Sequence, residues 1–284
     1  MTKKILNQIR RARNLYNRYI TYYKYKEVLG KNLTLKNKFK GKRCFIIGSG
    51  PSIKDQDLLK LAGEETFVCN TFWRHPQYYK INPKNYAGLD PGPPQLKSNF
   101  FKEELAKKEK DLTSLPTRFF FHLDGFCDYF KSVNAFQRNN VYYLHMGGFL
   151  KENLNFNIEI DKTIPHVKNV IIGCITIAVY MGFEEIYLLG CEHGFLASPR
   201  QFEEEHFFPG TAYTTSVNEK EREHYAMTIK SYEEQIDQVK ILFKNYRLLK
   251  AKLAKEKPQV KIYNATPNSF LDVFPFVKFE DIKF

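Results

Sequence analysis

The chain has 284 residues, 43% of them hydrophobic, with 25 Phe, 18 Tyr and one Trp, which suffices for one large α/β domain and an appendage. It contains no run of about 18 apolar residues, so no transmembrane helix is expected, and its basic N-terminus lacks the apolar stretch of a secretory signal. The net charge of +13 is local. Residues 1–43 hold 14 of the 44 Lys/Arg and one of the 31 acids, leaving 30 of each elsewhere, so the chain reads as a neutral body with a basic arm and not as a nucleic-acid binder.

Within the arm, Ile5, Leu6, Ile9, Ala12, Leu15, Tyr16, Tyr19, Ile20 and Tyr23 recur at helical spacing. Lys and Arg fill the other faces. A basic amphipathic helix with tyrosines at its interface suits an anionic membrane surface, so residues 1–30 are expected to hold the protein peripherally on the cytoplasmic side of a membrane. The alternative is packing on the body or on a second subunit, which would give a homo-oligomer. Residues 30–43 read as a polar linker, so residues 1–41 form an arm and linker and residues 42–284 a single domain.

The globular pattern opens with Cys44-Phe45-Ile46-Ile47, a continuous apolar run of the kind that forms a strand buried on both faces. Gly48-Ser49-Gly50-Pro51-Ser52 follows, and then a helix is expected over residues 55–61. Residues 66–69 and 86–89 read as strands ending at Asn70 and at Asp90-Pro91. A helix is expected over residues 100–110, with strands at 117–122 and 141–144. Residues 165–181 read as an apolar helix with Pro165 in its first turn and Gly182 as its stop. Residues 185–190 form the clearest later strand, and Cys191-Glu192-His193 follows it. A long amphipathic helix capped by Ser216 or Asn218 runs to Lys255, and residues 260–264 form a last strand. Alternating strands and helices make this an α/β chain, a Rossmann-like, mostly parallel sheet with helices on both faces. Cys44, Cys69, Cys127, Cys174 and Cys191 show no CxxC spacing and read as buried free thiols.

In a parallel sheet, ligands bind outside the carboxyl ends of the strands. Gly48 and Gly50 permit positive φ and close approach of backbone to ligand. Pro51 fixes the entry to the next helix, and Ser52 can cap it, leaving N–H groups to face an anion. Asn70 and Asp90 are placed to read a ribose, base or sugar. The acid/base candidates are Glu192, His193, His206 and His224, since a near-neutral imidazole or a carboxylate can take a proton from an acceptor hydroxyl. The reaction requires no cofactor and no bound metal, with Mg²⁺ left open as an ion these groups could bind.

The opening GSGPS turn, Cys69-Asn70 and Asp90-Pro91 resemble the bacterial CMP-sialic-acid sialyltransferases. Residues 178–193 and Ile262-Tyr263-Asn264-Ala265-Thr266-Pro267 are still more similar to surface-polysaccharide proteins labelled as resembling a hydroxymethylpterin pyrophosphokinase. The similar blocks cover most of residues 42–280. The resemblance implies a glycosyltransferase that moves a sugar, such as sialic acid or another nonulosonate from a CMP donor, onto a lipid-linked or surface glycan such as lipopolysaccharide or capsule. It implies donor contacts from Gly48, Ser49, Gly50, Ser52, Asn70 and Asp90. Thr228 stands where the sialyltransferase base would be, so the base stays open among His193, His206, Glu192 and His224. A pterin pyrophosphokinase and a non-catalytic nucleotide-binding scaffold are the alternatives.

Overall fold

The computed structural model describes residues 5, 12, 13, 16, 19–90, 100–194, 196 and 231–284. Seven strands form one all-parallel sheet: β1 (Arg43–Ile47), β2 (Thr66–Cys69), β3 (Asn85–Gly88), β4 (Arg118–His122), β5 (Val141–Leu144), β6 (Glu185–Leu189) and β7 (Lys261–Asn264). Their order is β5-β4-β3-β2-β1-β6-β7. From β1 the chain steps outward on one side as far as β5, then crosses back to place β6 against the other side of β1, with Ile47 paired to Leu189.

β1 to β5 are apolar on both faces because both faces are covered, whereas β6 and the edge strand β7 alternate between buried and more exposed residues. Cys44, Ile46, Phe67, Cys69, Phe120 and Leu188 point to one core, and Phe45, Ile47, Val68, Phe119, Phe121 and Leu189 to the other. Helices α1 (Lys26–Gly30), α2 (Tyr78–Ile81), α3 (Phe100–Leu112), α4 (Leu123–Ser132), α5 (Val170–Met181) and α6 (Tyr232–Glu256) connect or cover the strands. The chain is therefore an α/β protein with a Rossmann-like parallel sheet and helices on both faces. All five cysteines are free and buried.

Several boundaries differ from the sequence reading. Residues 55–61 hold no α-helix. Two short 3₁₀ turns, Pro51–Lys54 and Leu58–Leu61, stand there, the second capped by Asp57. Helix α5 starts at Val170 and not at Pro165, because the Asn169 side chain accepts from the N–H of Ile171 at 2.7 Å and caps it. Upstream, the backbone N–H of Ile164 instead bonds to His145 beside β5. Gly182 ends α5 as expected, at φ 93°. The cap of α6 is Ser231, in a reciprocal capping box with Glu234, and neither Ser216 nor Asn218, which lie outside the described residues. Helix α4 had no counterpart in the sequence reading.

The largest departure concerns residues 30–43. Leu35 and Phe39 are buried, and the Asn32 amide donates to the carbonyls of Tyr143 and Ile160 at 2.8 and 2.7 Å. Asn37 and Phe39 donate their backbone N–H to the last turn of α5. This segment is packed structure and not a solvated linker. Most of the expected arm helix falls outside the described residues, though residues 19–24 are helical, and Tyr16, Tyr19, Ile20 and Tyr23 are exposed. Among the described residues, no helix is long and apolar enough to cross a membrane.

Candidate functional site

β1 and β6 are neighbours whose chains leave in opposite directions across the sheet, the arrangement that opens a crevice at the carboxyl edge. Two turns face each other there. Gly48 donates to the carbonyl of Leu189 at 2.8 Å and Gly50 to that of Gly190 at 3.0 Å, which zips the glycine-rich turn to the end of β6. A Cβ on Gly48 would lie 2.3 Å from the carbonyl oxygen of Gly190, and one on Gly50 would lie 1.5 Å from Oε2 of Glu192. The glycines are needed for this close approach. They are not needed for φ, which is −64° at Gly50, and the positive φ of the pair of turns falls on Gly190, at 61°. The expectation of positive φ at Gly48 and Gly50 is therefore corrected.

Ser52 does not cap a helix. The 3₁₀ turn Pro51–Lys54 begins at Gly50, with Pro51 in its first position, and the backbone N–H of Ser52 donates to Oε1 of Glu192 at 2.6 Å. A carboxylate of the chain itself thus sits where a bound anion was expected. Oγ of Ser52 and Oε2 of Glu192 are buried and find no partner among the described residues. Ser49, in the same turn, is half-buried.

The far wall is braced by the chain after β7. Thr266 Oγ1 accepts from the N–H of Cys191 at 3.0 Å, Ser269 Oγ donates to the carbonyl of Cys191 at 2.6 Å, and Phe270 donates its N–H to the carbonyl of Glu192 at 2.8 Å. On the other side, Asn70 ends β2 in the left-handed region, at φ 48°. Tyr86 Oη donates to its carbonyl, and its own Oδ1 is buried without a partner among the described residues. Asp90 ends β3 exposed to solvent.

His193 is placed differently from the expectation of an acid/base group lining the crevice. At φ 55° its side chain turns inward against α6, where Nε2 lies 2.8 Å from Tyr246 Oη and only 8% of the residue is exposed. Burial pushes its pKa down to about 4. The ring is a neutral hydrogen-bonding partner of a buried tyrosine, with Phe243 edge-on beside it. Of the acid/base candidates, Glu192 therefore stands in the crevice and His193 behind it, while His206 and His224 lie outside the described residues. Among the described residues, no group of three or more His, Cys, Asp or Glu is arranged to hold a metal ion.

The sequence reading missed His122, the last residue of β4, on the same edge of the sheet. It is 3% exposed, its ring lies parallel to that of His166 with centroids 6.1 Å apart, and both its nitrogens are buried without a hydrogen-bond partner among the described residues. The signal was available, since a polar residue closing an apolar strand is the pattern that singled out Asn70 and Asp90.

A family described as MptE-like, 6-hydroxymethylpterin diphosphokinase MptE-like, matches over residues 19–198. Among solved structures, the chain is similar to the MAf glycosyltransferase from Magnetospirillum magneticum AMB-1, with 16% sequence identity and a TM-score of 0.45, over 91% of this chain and 39% of that one. The present chain thus spans well under half the length of that structure. No curated protein matches it.

Proposed function

This chain belongs to the MptE-like family, and from that premise we propose that it is a nucleotide-dependent transferase whose donor is an activated sugar, and whose acceptor is a hydroxyl of a lipid-linked or surface glycan. The observation that carries the reading is the crevice between β1 and β6. It lies at the switch point of the sheet, where nucleotides bind in folds of this type. Buried polar atoms of Ser52, Glu192 and Asn70, contributed by three different strand ends, stand there without partners among the described residues. Buried polar groups are normally hydrogen-bonded, so three such atoms at one edge support a polar ligand.

The finer proposal is a CMP-linked nonulosonate as donor, which rests on the GSGPS turn with Asn70 and Asp90. Mg²⁺ is not needed for a leaving nucleotide monophosphate held by backbone and hydroxyl groups. The basic arm would keep the enzyme at an anionic membrane face, where lipid-linked acceptors are held. The family's description favours a second reading, diphosphoryl transfer to a pterin. That chemistry would use ATP with Mg²⁺.

Thermal shift of the full chain against CMP, CDP, UDP, GDP and ATP, each with and without Mg²⁺, separates the two. Stabilisation by CMP or by another sugar-carrying nucleotide without metal supports sugar transfer. Stabilisation by ATP with Mg²⁺ alone overturns it in favour of the kinase reading.

A further inference from the structure

We propose that His122 is the proton-accepting residue of an acceptor subsite for a sugar hydroxyl, on the carboxyl edge of β4 and β5. This rests on the sugar-transfer reading above.

β4 reads Arg118-Phe119-Phe120-Phe121-His122, and the three phenylalanines fill both cores. A fourth apolar ring would satisfy packing at the last position. An imidazole there is 3% exposed, and neither nitrogen has a hydrogen-bond partner among the described residues. A neutral imidazole carries one donor and one acceptor, and leaving both unmet in a buried place is unfavourable. His122 also precedes the ten-residue helix α4 without capping it. Among the described residues, both nitrogens are thus uncommitted.

The surroundings suit a hydroxyl. His166 lies parallel to the ring, held by its N–H bond to the carbonyl of Gly148 at 3.0 Å. His145 stands behind, its Nδ1 2.9 Å from Thr163 Oγ1. Asp124, in the first turn of α4, is the acid that faces the ring. Burial pushes the pKa of His122 down to about 4, with His166 and His145 adding to the fall and Asp124 opposing it. The ring is therefore an unprotonated base near neutral pH. Phe149, 78% exposed beyond β5, offers a flat apolar face of the kind sugar rings cover.

Distance fits as well. His122 is three strand spacings from β1, about 14 Å along the edge. A sugar nucleotide laid from the crevice past Asn70 and Asp90 brings its sugar towards β4. In the transfer step the acceptor O–H proton moves to the imidazole nitrogen while its oxygen bonds the anomeric carbon. The anomeric C–O bond breaks, its electron pair leaves on the phosphate, and the imidazolium proton then passes to water.

The test uses the full chain with CMP-N-acetylneuraminate, UDP-N-acetylglucosamine, UDP-glucose and GDP-mannose, water serving as acceptor. Nucleotide release and donor binding by calorimetry are measured together over pH 3.5–9, a range that spans the His122 titration near 4. His122→Phe continues the apolar run and keeps the fold, and His122→Gln keeps polarity. The expected result is at least a thirtyfold fall in turnover for both variants, a donor Kd within threefold of wild type, and loss of the acid limb of the pH profile. Turnover within threefold of wild type in His122→Phe, or parallel loss of binding and turnover, overturns the assignment alone. A wild type that neither binds nor turns over any of the four donors overturns the sugar-transfer reading and this assignment with it.

Discussion

The carboxylate of Glu192 accepts a 2.6 Å hydrogen bond from the backbone N–H of Ser52, a residue 140 positions away. That bond fastens the turn after β1 to the turn after β6. A backbone donor bound to a charged acceptor contributes more than a neutral pair, so Glu192→Ala is expected to lower the unfolding free energy by about 1.5 kcal/mol. Glu192→Gln keeps an acceptor oxygen and should lose less than half of that. Urea denaturation of the three proteins at pH 7.5 checks the order.

The two glycines of the turn should fail for different reasons. A Cβ on Gly50 meets the end of the Glu192 side chain at 1.5 Å and the carbonyl of Gly190 at 2.7 Å, whereas one on Gly48 meets the backbone of Gly190 at 2.3 Å. The Glu192 side chain can swing aside, which leaves Gly50 only the milder 2.7 Å approach to Gly190, but the Gly190 backbone that faces Gly48 at 2.3 Å cannot. Gly48→Ala is therefore expected to cost about 3 kcal/mol, and Gly50→Ala less. Pairing Gly50→Ala with Glu192→Ala should give a loss smaller than the sum of the single changes, while Gly48→Ala with Glu192→Ala stays additive. A double-mutant cycle in urea reads this directly.

Much of the sheet was legible because each strand is a short apolar run closed by Gly, Asn, Asp or His, a pattern set by burial on both faces. The packed segment after α1 was not legible, because its reasons are distant: Asn32 looks polar and linker-like until Tyr143 and Ile160 supply carbonyls for its amide. Helix α4 was hidden by Asp124 and Gly125 in its first turn, and only the burial of Phe126, Cys127 and Phe130 shows its inner face. At the site, Gly48 and Gly50 were identified for the wrong physical reason. His193 was placed in the crevice because it follows a strand, but left-handed backbone at Gly190 and His193 itself sends its ring inward.

That inward ring has a consequence for pH. The folded chain holds His193 and His122 with pKa near 4, whereas an unfolded chain takes up these protons near the ordinary value of about 6.5. Below about pH 6.5 the unfolded state binds more protons, so stability falls as pH drops from 6.5 towards 4 and is level above 7. Each ring contributes up to about 3 kcal/mol of that loss when it is complete. Between pH 7.5 and 5, His193→Gln should show a shallower fall in urea midpoint than wild type. An equal slope in the two proteins would remove His193 from the account.

The arm calls for a cut different from the one its sequence suggests. Tyr25 is buried and donates to Asp128 at 2.6 Å, and Leu29, Leu35 and Phe39 are core residues, so a chain beginning at Lys42 would lose part of its body. A chain beginning at Tyr22 keeps those contacts and drops six Lys/Arg, namely Lys3, Lys4, Arg10, Arg11, Arg13 and Arg18. With about 1 kcal/mol per basic residue near an anionic surface, flotation with vesicles containing phosphatidylglycerol should fall at least a hundredfold in partition, and flotation with neutral vesicles should not change. Equal flotation of the two chains would remove the membrane role.

The segment that roots the arm is bonded at two distant places, to β5 through Asn32 and to the end of α5 through Asn37 and Phe39. A leash attached at one point would set only how far the body can stray from a surface. A root pinned at two separate places also limits how the body can roll, so a surface held by the arm would meet the strand ends at a restricted angle.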